Sequence, residues 1–162
     1  MSFLYKSKRV GKGGSVFTMY KIRTLKETSE KFAKEDGYTR FGWLLRKTKT
    51  DELPQLWNII RGDMRFFGYR AEEEQAYKVL PEAVKSLLKR EKPGLIDLSS
   101  VHFYDEERLL QSFSDPHKAY WEIIRPMKFT LQAFYMENRS IILNLAICWM
   151  YLKKLLFQFL KK

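Results

Sequence analysis

The 162-residue sequence is long enough for one domain with its own core and too short to divide comfortably into two. With 45% hydrophobic and 30% charged residues it is neither a disordered tail nor a polytopic membrane protein. Thirty Lys and Arg against nineteen Asp and Glu give a formal charge of +11, which favours a polyanionic partner (nucleic acid, anionic lipid or a diphosphate) without choosing among them.

The opening residues lack the apolar run of a signal peptide. Lys12-Gly13-Gly14-Ser15 reads as a hairpin turn between strands at Phe3–Val10 and Val16–Ile22. Lys6, Lys8, Arg9 and Lys12 form either a face for anionic lipid or an ordinary solvated face. A short helix is expected over Tyr38–Thr48, and a second from Thr50, its cap, to Gly62. Val79, Leu80, Val84, Leu87 and Leu88 predict an amphipathic helix over Ala76–Arg90, stopped by Lys92-Pro93-Gly94. Asp105 opens another helix, and Asp115-Pro116 supplies a cap and a first-turn proline.

The last helix starts near Ser140. Its apolar run from Ile141 to Leu152 is twelve residues, against about 20 for a bilayer span, and Lys153-Lys154 interrupts it. Trp149, Tyr151, Phe157 and Phe159 mixed with Lys153, Lys154, Lys161 and Lys162 suit a helix lying in a membrane interface over residues 140–160, with a packed core helix as the alternative. The expected fold is α+β and predominantly α: one domain over residues 1–162, with a small N-terminal β-hairpin and several amphipathic helices around one core. His102 and His117 make no zinc pattern, Cys148 reads as a buried inert thiol, and no nucleic-acid-binding motif accompanies the charge.

One block carries chemistry: Arg46-Lys47-Thr48-Lys49-Thr50-Asp51-Glu52-Leu53-Pro54-Gln55-Leu56-Trp57-Asn58, followed by Arg61-Gly62-Asp63-Met64. Phosphoryl transfer needs an oxygen nucleophile in line with phosphorus and cations to absorb phosphate charge. Of two adjacent carboxylates, one can attack and one can hold Mg²⁺, while basic side chains and helix N–H groups cradle phosphate. Acidic residues in a first turn also simply complement the helix dipole, and spacing alone does not separate the two readings.

Tyr20-Lys21-Ile22-Arg23-Thr24-Leu25, then Asp51 to Asn58, then Gly62-Asp63-Met64 resemble the signature of the bacterial sugar transferases, the monotopic phosphoglycosyl transferases. Pro93-Gly94 and Glu137-Asn138-Arg139-Ser140 resemble later segments of that family, so the likeness runs from about Leu4 to Leu160. It implies a Mg²⁺-dependent enzyme that moves a sugar 1-phosphate from a UDP-sugar to polyprenyl (undecaprenyl) phosphate, starting surface glycan synthesis. Asp51 would be the nucleophile, holding the phosphosugar covalently after UMP leaves, and Glu52 the Mg²⁺ ligand. Lys21, Arg23, Arg46 and Arg70 would bind phosphate or nucleotide, and Asp63 would support the site. The implied location is the cytoplasmic face of the bacterial inner membrane, on an anionic surface and peripheral in this form.

The sequence departs from the family in three places. The family's apolar membrane hairpin would precede the segment matching Phe3–Gly14, so the chain reads as the catalytic domain without it. Gly-Pro-Arg-Pro is Gly68-Tyr69-Arg70-Ala71 here, which predicts a less rigidly posed Arg70. Pro-Gly-Ile-Thr-Gly is Pro93-Gly94-Leu95-Ile96-Asp97, which predicts Asp97 on a left-handed backbone with its charge near the nucleotide sugar. These changes motivate an alternative, a weak or inactive membrane-surface scaffold of the same fold.

Overall fold

A computed structural model describes residues 3–26 and 37–160. Lys161, Lys162 and the side chain of Phe159 lie outside the described residues. Strands β1 (Leu4–Val10) and β2 (Val16–Ile22) form the expected antiparallel hairpin, in register from Leu4 opposite Ile22 to Val10 opposite Val16. A short strand met later in the chain, at Glu72–Glu73, adds to the other edge of β1. Side chains alternate along β2: Phe17, Met19 and Lys21 are buried on one face. The first two pack with Met64 and Ala71, so the alternation that builds this cluster also carries the Lys21 ammonium inward.

Helix α1 (Arg40–Thr48) is capped by Thr39, whose hydroxyl accepts from the Gly42 N–H at 2.8 Å. It ends at Lys49 in the left-handed region, φ 57°. A 3-10 turn over Thr50–Glu52 follows, and only then α2 (Gln55–Ile60). The single helix expected from Thr50 is thus two pieces, and Thr50 caps neither; its hydroxyl bonds to that of Thr48 at 2.8 Å. Buried Asn58 fastens α2 to the hairpin, with Nδ2 donating to Thr18 O at 2.7 Å and Oδ1 accepting from Tyr20 N at 3.3 Å.

Strand β3 is Arg65–Phe67, and β4 is the Glu72–Glu73 strand beside β1. The helix expected over 76–90 divides into α3 (Glu74–Lys78) and α4 (Glu82–Lys89). Pro81, with ψ 144°, cannot continue the first, and Leu80 is buried at the break. Strand β5 (Gly94–Ile96) pairs in parallel with β3, a pairing the sequence reading does not anticipate. Nor does it anticipate α5 (Leu98–His102).

Helices α6 (Glu106–Gln111) and α7 (Pro116–Ala119) begin where Asp105 and Asp115-Pro116 place them, and the Asp115 carboxylate accepts from Lys118 N. A π turn at Tyr120–Ile124 leads into α8 (Arg125–Glu137), and α9 (Ile141–Leu160) closes the chain with the Ser140 hydroxyl accepting from Leu143 N. The fold is α+β and mostly helical, in line with the sequence expectation.

Buried apolar residues gather in several small clusters, such as Leu98, Val101, Tyr135 and Ile147 between α5, α8 and α9. Among the described residues Ile147 is the buried contact of α9, while Ile141, Ile142, Leu145, Trp149, Leu152, Leu156 and Phe157 are exposed. Cys148 is half-buried rather than buried. Among the described residues no helix is long and apolar enough to cross a membrane.

Candidate active site

Asp51 and Glu52 lie in the 3-10 turn between α1 and α2, at a cleft of about 1430 Å³. Lys21, Arg23, Arg46 and Arg70 line the same cleft. Residues from β2, α1, the inter-helix turn and the segment after β3 thus converge, although they span fifty positions of sequence.

The two carboxylates have opposite environments. Glu52 Oε1 accepts from Lys21 Nζ and from Arg70 Nη2, each at 2.8 Å. Burial would raise the Glu52 pKa, but Arg70 and Lys21 hold it well below the usual carboxylate range. Asp51 is 2% exposed, its Oδ2 lies 3.7 Å from Arg46 Nη1, and its Oδ1 has no hydrogen-bond partner among the described residues. Burial and then the Glu52 charge raise the Asp51 pKa, against the opposing pull of Lys21, Arg46 and Lys49. The adjacent acids sit in the 3-10 turn before α2 rather than in the first turn of one long helix. Glu52 is anchored, while Asp51 is desolvated and incompletely paired.

The cations are also held. Burial lowers the Lys21 pKa to about 8 despite Glu52 beside it. Arg46 donates from Nε (3.0 Å) and Nη2 (2.6 Å) to Glu107 Oε1, and Tyr38 Oη donates to Glu107 Oε2 at 2.8 Å. Arg70 reaches Glu52 on one side and lies 3.8 Å from Asp97 Oδ2 on the other. Its loop, without the prolines, is tied down by other contacts. Tyr69 and Ala71 are buried, Arg9 Nη1 donates to Ala71 O, and Gly94 N donates to Tyr69 O at 2.8 Å. The chains at Gly68 and Gly94 run so close that a Cβ on Gly94 would lie 2.1 Å from Gly68 N, so glycine there permits the pairing that poses Arg70.

Asp97 departs from expectation too. Its backbone is extended, φ −133°, and its Oδ1 accepts from Ser100 N and Ser99 Oγ as the cap of α5. Asp63 does not line the cleft; it accepts from Asn58 Nδ2 at 3.1 Å and so supports the α2–β2 junction. Arg23 lies at the cleft with its guanidinium 5.9 Å from the Tyr5 ring centroid. Sequence reasoning missed Glu107 and Tyr38, which orient Arg46, and Asn58, which sets the register of the turn against β2.

Magnesium is bound by one or two carboxylates together with waters and substrate phosphates, rather than by an all-protein cage. Among the described residues no cluster of three Asp, Glu, His or Cys forms. Two adjacent carboxylates, one with an orphaned buried oxygen, fit a cation that completes its shell from a diphosphate. Because Glu52 Oε1 already accepts from two cations, a metal at Glu52 would use the other oxygen.

The model of the family described as bacterial sugar transferase matches residues 1–158. The Bacillus subtilis (strain 168) sugar transferase EpsL is 31% identical over 160 residues, covering 94% of this chain and 69% of its own length. A second protein of that strain, named provisionally as an undecaprenyl-phosphate N-acetylgalactosaminyl 1-phosphate transferase, is 45% identical over 75 residues, 43% of this chain and 42% of that protein. The UDP-glucose:undecaprenyl-phosphate glucose-1-phosphate transferase of Caulobacter vibrioides is 36% identical over 108 residues, 60% of this chain and 40% of that enzyme. The chain thus spans less than half the length of two of these three relatives.

Proposed function

Because the chain belongs to the bacterial sugar transferase family, we propose that it transfers a sugar 1-phosphate from a UDP-sugar to undecaprenyl phosphate through a covalent intermediate on Asp51. The observation that carries this reading is the buried, half-unpartnered Asp51 carboxylate in a cleft lined by Lys21, Arg46 and Arg70. The names of two relatives specify undecaprenyl phosphate, and one of them UDP-glucose.

In the first step an Asp51 carboxylate oxygen attacks the β-phosphorus of the UDP-sugar. An Asp51 O–P bond forms, the P–O bond to the α-phosphate breaks, and UMP leaves with the electron pair. In the second, a phosphate oxygen of the lipid attacks the same phosphorus. The O–P bond to Asp51 breaks, giving undecaprenyl diphosphate-sugar and the free carboxylate. Asp51 needs no general base when ionised, and its desolvation strengthens it as a nucleophile. Lys21, Arg46 and Arg70, pre-oriented by Glu52 and Glu107, take up charge on the equatorial phosphate oxygens. Glu52 would hold Mg²⁺, which when bound neutralises diphosphate charge.

The same reading places the protein peripherally on the anionic cytoplasmic face of the inner membrane. The exposed apolar side of α9, the exposed Leu53, Leu56, Trp57 and Ile60 around α2, and the +11 charge support it.

The test is incubation of the detergent-solubilised chain with UDP-sugars and no lipid acceptor. A mass increase of one phosphosugar on Asp51, discharged by adding undecaprenyl phosphate, is expected; turnover without any adduct would show direct transfer. Loss of activity in EDTA, restored by Mg²⁺, is the expected sign of the metal.

A further inference from the structure

Lys21, Arg46 and Arg70 each have a carboxylate partner, at 2.8, 2.6 and 2.8 Å. Lys49, which lines the same cleft two residues before Asp51, has no carboxylate within 4.0 Å among the described residues. Its backbone lies at φ 57°, and it is the only non-glycine residue at positive φ among the described residues. Glycine or asparagine meets that conformation with less strain, so the turn by itself does not account for a lysine. Strain of this kind concentrates where a side chain has a task.

The surroundings of Lys49 point to one class of ligand. Its Nζ lies 5.1 Å from the centroid of the Tyr104 ring, and Tyr104 is fixed by its hydroxyl bond to Lys47 O at 3.0 Å. Tyr104 meets Tyr151 of α9 edge to face, with centroids 5.8 Å apart. Tyr151 and Phe157 bring α9 to the cleft wall, and the outer side of that helix exposes Leu152, Leu156 and Leu160. Lys49 is therefore a cation in the field of Asp51, Glu52 and Glu107 but in contact with none of them, where the polar cleft meets an apolar helix. A phosphate carried on a long apolar chain matches both features: its anionic head satisfies the ammonium, and its hydrocarbon covers the helix.

We propose that Lys49 binds the phosphate head of the lipid acceptor, whose chain leaves the cleft along α9 past Tyr151 and Phe157. The proposal rests on the transferase reading above. It assigns the acceptor to the Lys49 side of Asp51 and leaves the nucleotide diphosphate to Lys21, Arg46 and Arg70.

A reaction with a covalent intermediate is ping-pong, so kcat/KM for each substrate reports its own half-reaction. Lys49→Gly removes the cation and relieves the backbone, so the variant is expected to keep the wild-type Tm or exceed it. Its kcat/KM for undecaprenyl phosphate is expected to fall about ten- to a hundredfold, the loss of one charge-assisted hydrogen bond. The kcat/KM for the UDP-sugar should fall less than about threefold, since that half-reaction proceeds without the acceptor. Lys49→Arg, with the charge restored on the same backbone, should recover most of the acceptor term. Equal losses in both terms would overturn the acceptor assignment in favour of a phosphate site shared with the nucleotide. No loss in either would overturn it in favour of a turn residue. If the wild-type chain releases no UMP from any UDP-sugar, the transferase reading fails and this inference with it, whereas an unchanged acceptor term in an active enzyme defeats the inference alone.

Discussion

The cleft and the outer face of α9 invert the usual arrangement of a small domain. The cleft withdraws charge from water: Lys21, Asp51 and Asp97 are all less than a tenth exposed. The outer face of α9 does the opposite, with Ile141, Ile142 and Leu160 about four-fifths exposed. Either half alone would be a liability, since unpaired buried charge and uncovered hydrocarbon are both costly. Together they fit the proposed function, in which the interior takes a charged ligand and the exterior an apolar one. The difference teaches where each stabilisation is supplied: from within the chain for Glu52, which has two cations, and from outside it for Asp51 and for α9.

The sharpest break in that comparison is Asp51→Asn. Turnover should fall at least about a thousandfold if the carboxylate is the nucleophile. The fold should not suffer. Because the Asp51 pKa is raised in the folded state, the native protein holds that proton more tightly than the unfolded chain, and the ionised group opposes folding at neutral pH. A neutral amide removes that opposition, so Tm should hold or rise; an active variant would end the nucleophile assignment. Glu52→Gln is the complement. It leaves Lys21 without its contact anion and Arg70 with Asp97 alone, and should destabilise the fold by about 3 kcal/mol in urea titration. Equal stability of the two variants would erase the contrast between the carboxylates.

What the sequence disclosed and what it hid follow from range. The hairpin was legible because a Gly-Gly turn sits between alternating strands, and the Asp51-Glu52 pair because the carboxylates are adjacent in a distinctive block. Lys21 was legible as a site residue by resemblance, and β2 alternation accounts for its burial. Glu107, which orients Arg46 from 61 positions away, leaves no local trace. The β3–β5 pair is three residues per strand, too short for a period to show. The break at Pro81 lies inside the apolar spacing of 79–88, which reads as one helix, and Leu80 is buried at that break. Asp97 read as a strained substitute for glycine because its capping role depends on α5, which the sequence pattern did not reveal.

The apolar half of the comparison is tested on vesicles. Trp149 and Phe157 are each 58% exposed on α9. Replacing both with Ser should weaken binding to anionic vesicles about thirtyfold, at roughly 1 kcal/mol of interfacial burial for each ring. Raised salt should weaken what remains, and carbonate washing should strip the wild-type chain. Retention through carbonate would show deep insertion, while no binding at low salt would leave the α9 face without a lipid role.

The smallest expected effect separates function from stability inside the cleft. Lys21 titrates at about 8 in the folded protein and near 10.4 when unfolded. Only its cationic form neutralises phosphate, so kcat/KM for the UDP-sugar should decline above pH 8 and be about tenfold down at pH 9. Over the same interval the unfolded chain holds this proton more fully than the native one, so the group's contribution to stability rises with pH. Activity and stability should therefore diverge between about pH 8 and 10 as far as Lys21 governs them. At the acid end, protonation of Asp51 should cut activity at a pH above the ordinary aspartate range, because burial raises its pKa. Lys21→Arg sharpens the assignment, since a guanidinium stays charged throughout and should abolish the basic limb. A limb that remains near pH 8 in that variant would assign it to a group other than Lys21.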